Sequence, residues 1–161
     1  MRKLTYGAVL LLLISLVGCE KYALDRQMAE LCKKDGGVTI YETVTLPRSA
    51  FDATGSLIEQ DISDPTKLRT YTALIADGTY SISRVTAYIS GGEPTFGLVK
   101  KGRLSRYENV VQRTSDKKVI AVEISYGRIG GEVSLHHPSS NSCPLPRSNP
   151  GLENAVFKKE K

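Results

Sequence analysis

The chain lacks a CxxC pair among its three cysteines, which excludes a thioredoxin-like redox centre. Its two histidines, His136 and His137, are adjacent and lack zinc-finger spacing, so no metal site is expected. There is no GxSxG elbow, and no aspartate is placed to orient either imidazole. No second carboxylate is spaced with Glu42 to make a glycosidase pair. Internal repeats and low-complexity tracts are missing as well. Past residue 17 there is no second hydrophobic run of membrane-spanning length. With 22 basic against 17 acidic residues the net charge is only +5, far from a nucleic-acid-binding balance. No nucleic acid and no cofactor are expected.

What is present begins at the start. Met1-Arg2-Lys3 carries two positive charges, and residues 4–17, LTYGAVLLLLISLV, carry none. A transmembrane helix needs about 20 apolar residues. This run is shorter and has the charged and apolar regions of a secretory signal. It closes on LVGC, residues 16–19, which resembles the lipobox of bacterial lipoproteins. That resemblance implies that the Cys19 thiol receives diacylglycerol, that the chain is cut before it, and that the new amino group is acylated. A thiol suits the transfer because its thiolate is a strong nucleophile. Each acyl methylene buries roughly 0.8 kcal/mol, and stable anchoring takes about two chains, so a lipidated Cys19 holds the chain to a membrane alone. The same resemblance implies the outer membrane, facing the periplasm, because residue 20 is Glu and not the Asp that holds many enterobacterial lipoproteins in the inner membrane.

Removing residues 1–18 as a signal peptide leaves 143 residues with 20 basic and 17 acidic side chains, a net charge of +3. That is one domain of ordinary size, expected over 19–148 and followed by a flexible tail over 149–161. With Cys19 lipidated, Cys32 and Cys143 remain. In an oxidising compartment they read as one disulfide. In the chain-entropy model so long a loop is worth about 4 to 5 kcal/mol.

Residues 20–35, EKYALDRQMAELCKKD, place Leu24, Met28, Leu31 and Cys32 on one helical stripe. Lys33 and Lys34 suit the last turn, and Gly36-Gly37 stops the helix. Residues 38–46 alternate as a strand, with Glu42 on the apolar face and Pro47 at its end. Residues 48–67 read as a loop with at most a short helix. A hairpin is expected around Asp77-Gly78 and a second around Ser115-Asp116, the latter with Ile120, Val122, Ile124 and Tyr126 as its apolar face. A short strand is expected at FGLVK, residues 96–100, and an irregular segment after Gly127. The fold class is α+β: one N-terminal helix packed on a mainly antiparallel β-sheet, closed by a disulfide.

Three blocks then carry a further resemblance: LCKKDGGVTIYETVTLP (31–47), SRYENVVQRTSDKKVIAVEISYGRIGG (105–131) and HPSSNSCP (137–144). The chain resembles a family of small, uncharacterised proteobacterial lipoproteins, with one cysteine before an Asp-Gly-Gly turn and a second after His-Pro-Ser-Ser. Residues 48–104 match poorly. The resemblance supports the pairing of Cys32 with Cys143 and implies no activity.

Among candidate chemistries, His136, His137, Ser139 and Ser140 suggest a hydrolase only weakly. His137-Pro138 with two serines reads better as a tight turn leading to Cys143, so no catalytic residue is assigned. Glu42 reads either as an acid of raised pKa or as an edge residue paired with arginine. The segment 100–118 holds seven basic residues against Glu108 and Asp116, a local excess of +5. Lys100, Lys101, Arg103, Arg106 and Arg113 form a candidate patch for an anionic envelope component: lipid A, peptidoglycan or an acidic protein. The competing reading is a solvated hairpin whose lysines guard a sheet edge. The expected function is a membrane-anchored envelope lipoprotein, non-catalytic, that binds or supports an envelope component. The alternatives are a periplasmic hydrolase and an inhibitor of a cell-wall-degrading enzyme.

Overall fold

The computed structural model describes residues 20–91, 101–132, 137–144 and 151–160. The expected signal peptide, Cys19, the expected strand at 96–100, Lys100 and His136 lie outside the described residues.

The first helix, α1, covers residues 20–35. Leu24 and Met28 are buried, and Leu31 and Cys32 pack beside them, as the stripe predicts. Among the described residues nine strands follow: β1 (Gly37–Ile40), β2 (Val44–Leu46), β3 (Glu59–Asp61), β4 (Thr70–Ile75), β5 (Tyr80–Ser90), β6 (Arg103–Arg113), β7 (Val119–Ile129), β8 (Ser140–Cys143) and β9 (Phe157–Lys159). A second helix, α2 (Leu152–Val156), runs directly into β9. The main sheet has the order β1-β7-β6-β5-β4-β3, with β8 also paired to β7, and every pairing in it is antiparallel. The fold is therefore α+β, with α1 on a mainly antiparallel sheet.

Side chains alternate across this sheet, so each face builds its own core. One face carries Ala73, Ile75, Tyr80, Ile82, Val111 and Ala121, covered by Leu46 and Ala50 and by Leu152, Val156 and Phe157. The other carries Leu104 and Tyr126, covered by Leu24 and Met28 of α1. Cys32 and Cys143 meet at the margin of this second core, Cα to Cα 6.1 Å, and their disulfide ties the end of α1 to β8.

Four expectations are corrected. The strand over 38–46 is broken: β1 pairs with β7, while β2 leaves the sheet and pairs in parallel with β9. The break sits where the amides of Tyr41 and Glu42 both donate to the carbonyl of Ile120. Ile120 does not share a face with Tyr126. The β6–β7 register shifts between Val111 and Gln112, which turns Ile120 into the first core while Tyr126 stays in the second. The segment after Gly127 is not irregular at once, because β7 continues to Ile129 and β8 pairs with it. Residues 151–160 are not a flexible tail, because Leu152, Val156 and Phe157 close the first core. Both expected hairpins form. The first turns through Ala76, Asp77 and Gly78, all at positive φ, so the left-handed stretch begins one residue earlier than Asp77.

Candidate functional site

The basic segment is built into the sheet, and its cations have different neighbours. Arg113 donates from Nη1 to Asp116 Oδ2 at 3.0 Å and from Nη2 to Glu42. Lys118 Nζ reaches the same Glu42 carboxylate at 3.0 Å. Arg106 pairs with Glu108 on its own strand. Arg103 stacks its guanidinium 5.0 Å from the centroid of Tyr88, and Arg69 lies 4.1 Å from the same ring. Arg103 Nε is buried and without a hydrogen-bond partner among the described residues. Lys101 is exposed. The +5 excess counted only the carboxylates of the segment itself. Glu42, brought in by the β1–β2 break, neutralises part of it. Of the five cations assigned to the patch, Arg106 and Arg113 are ion-paired, and Lys101 and Arg103 have no carboxylate within salt-bridge distance among the described residues.

Glu42 is the paired edge residue of the two readings. Hydrogen bonds from Lys118 and Arg113 hold its carboxyl below the ordinary glutamate value, the opposite of a raised-pKa acid.

The HPSS segment serves the fold. His137 is exposed, and Ser140 opens β8. Ser139 is held on three sides: its amide donates to Glu132, and Arg128 Nη1 donates to its carbonyl at 3.0 Å and its hydroxyl at 2.8 Å. Arg128 is the centre of this cluster and is only 2% exposed. It also donates from Nε to Asp25 Oδ1 on α1 at 2.7 Å and from Nη1 to the Gly130 carbonyl at 2.8 Å. Glu132 Oε2 lies 3.6 Å from Nη1, and Asn141 donates to Asp25 at 3.1 Å. Burial raises the pKa of Asp25, but the bonds and charge of Arg128, with Asn141 and Lys21, bring it below its ordinary value. Glu132 is likewise pushed up by burial and brought lower overall by Ser139, Lys21 and Arg128.

A third polar cluster lies over the first core. Arg84 donates to Glu59 at 3.1 and 3.3 Å and to Glu153 of α2 at 2.6 Å, and rests 4.9 Å from the Tyr71 centroid. Tyr71 Oη donates to Glu59 at 2.9 Å. This network fastens α2 to β3, β4 and β5 and borders an open polar cleft of about 500 Å³. A second cleft of about 530 Å³ opens beside Leu46, Ala50, Ile58 and Tyr80. Among the described residues, no three His, Cys, Asp or Glu side chains gather as metal donors, and no helix is long and apolar enough to cross a membrane.

Sequence reasoning missed Asp25, Arg84, Arg128 and Glu153. The only signal for Arg128 is its place two residues after Tyr126, on the apolar face of β7. Compared with known proteins, the chain matches no protein-family model, no curated protein and no solved structure.

Proposed function

We propose that the chain is a lipid-anchored lipoprotein of a bacterial envelope, held through Cys19 at the outer membrane and facing the periplasm, with a non-catalytic domain that binds or supports another envelope component. The observation that carries the reading is the covalent closure between Cys32 and Cys143, a bridge characteristic of oxidising compartments, on a chain whose start has a signal ending in LVGC. The polar clusters support the non-catalytic part. Arg128, Ser139 and Glu132 hold α1 and β8, Arg84 with its two glutamates holds α2, and Glu42 holds the β6–β7 turn. Each is accounted for by packing and pairing without a substrate.

The test is the mass of the mature N-terminus. The expected species begins at Cys19 and carries diacylglycerol and an amide-linked acyl chain. Cys19→Ser leaves the precursor uncut. A mature chain with an unmodified N-terminus at any other residue overturns the reading.

A further inference from the structure

The start of α1 is locked to one end of the sheet. Lys21 donates its amide to the Gly131 carbonyl at 3.1 Å, and the Glu20 carboxylate accepts the Gly102 amide at 3.2 Å. The contact is close on both sides. A Cβ on Gly131, whose φ is +91°, would stand 3.0 Å from Lys21 Cα. A Cβ on Gly102 would stand 2.2 Å from Leu24 Cδ1. A side chain at either position would crowd the helix start, and the helix cannot slide or lift without losing both bonds. Gly91 belongs to the same end, because a Cβ there would meet the Gly102 carbonyl at 2.3 Å.

We infer that this end of the sheet lies flat against the membrane, with Lys21, Tyr22 and Lys101 among anionic phospholipid head groups. The inference rests on lipidation of Cys19. One peptide link, about 3.8 Å between Cα atoms, separates Cys19 from Glu20. No flexible linker intervenes, since α1 already includes residue 20. The polar layer of a bilayer is about 5 to 8 Å deep on each side. A lipid held one residue from a locked helix therefore places the helix start inside or against that layer.

The side chains there suit it. Tyr22 is 74% exposed on the first turn of α1, an aromatic ring with a polar tip of the kind that settles at head-group level. Lys101 is exposed beside Gly102, and Lys21 is half-buried beside Gly131. Among the described residues the acids of this end are engaged: Glu20 accepts the Gly102 amide, and Glu132 accepts Ser139 and faces Arg128. The opposite end, with the Asp77 and Ser115 turns, then points away from the membrane and presents the 530 Å³ cleft to the periplasm.

The chain has no tryptophan, so one introduced indole reports one place. Tyr22→Trp and Ser115→Trp are made separately in the full lipoprotein, lipidation is checked by mass, and each is reconstituted into vesicles of phosphatidylglycerol and phosphatidylcholine with a head-group spin label. Strong quenching at position 22 and none at 115 is the expected result. Equal quenching at both positions, or none at 22, in a chain whose mass shows acylated Cys19 overturns the orientation while leaving the lipoprotein reading standing. An unacylated Cys19 overturns both. In the Tyr22→Trp background, Lys21→Gln with Lys101→Gln should lower the contact population about fivefold per lysine on phosphatidylglycerol and leave it unchanged on pure phosphatidylcholine. Unchanged quenching on phosphatidylglycerol overturns the head-group contact. An intact Cys32–Cys143 bridge and an unaltered thermal midpoint show that these variants remain folded.

Discussion

Arg128 on β7 is joined to Asp25 on α1, Nε to Oδ1 at 2.7 Å, and this arginine is the one buried cation between helix and sheet among the described residues. Its partners come from α1, the end of β7 and the approach to β8. Arg128→Ala strands Asp25, Glu132 and the Ser139 carbonyl in a partly buried site. The expected loss is about 3 to 5 kcal/mol, read from denaturant midpoints. A loss below about 1 kcal/mol, the ordinary surface range, would show the cluster to be solvated.

Acid should weaken the fold through the same cluster. Asp25 and Glu132 have folded pKa values below their ordinary ones, so they bind protons less readily when folded. Their stabilisation is complete above the unfolded values, about 4, and is lost as pH falls through the lower folded values. Thermal midpoints should be level from pH 7 to 5 and fall below about pH 4. Asp25→Asn should flatten that fall. An identical acid limb in the variant would remove Asp25 from the account.

The C-terminal segment should matter as much as any strand. Phe157 is 3% exposed and meets Tyr80 edge-on at 5.4 Å between centroids. Phe157→Ala should cost about 3 to 5 kcal/mol. Ending the chain at residue 150 should expose the first core and produce dye binding and aggregation.

Much of this was legible in the sequence, for identifiable reasons. Helix α1 was readable because Leu24, Met28, Leu31 and Cys32 repeat at helical spacing, and the hairpins because turn residues separate alternating runs. The β1–β2 break was not readable. It depends on a bulge at Ile120, far away in the chain, which captures the amides of Tyr41 and Glu42. The burial of Leu152, Val156 and Phe157 was hidden because NPGLENAVFKKEK is short, polar at both ends and too brief to show a period. The pairing within the basic segment was hidden for a related reason: charge counted along one segment omits Glu42, which arrives from another element and pairs with Arg113 and Lys118.

That neutralisation is itself testable. Arg113→Glu sets a third carboxylate against Glu42 and Asp116 and should lower the thermal midpoint, whereas Lys101→Glu should leave it unchanged. Equal midpoints for both variants would show that the Arg113 pairs contribute nothing.

Reducing the Cys32–Cys143 bridge should remove about 4 to 5 kcal/mol in the chain-entropy model. Paired denaturation curves with and without reductant give the figure. Alkylation of the unreduced, unfolded domain should find neither Cys32 nor Cys143 free. Two labelled cysteines would overturn the pairing.

The parallel pairing of Val44 with Phe157 also sets an order of events. β2 emerges early in synthesis, and the strand it needs is made more than a hundred residues later. Until residue 157 exists, Ile75, Ile82 and Val111 have no Leu152, Val156 or Phe157 over them, and one wall of the interior stays open to water. A nascent chain therefore cannot reach its final compactness piece by piece. Its first core reaches full burial only when nearly all of the chain has been made.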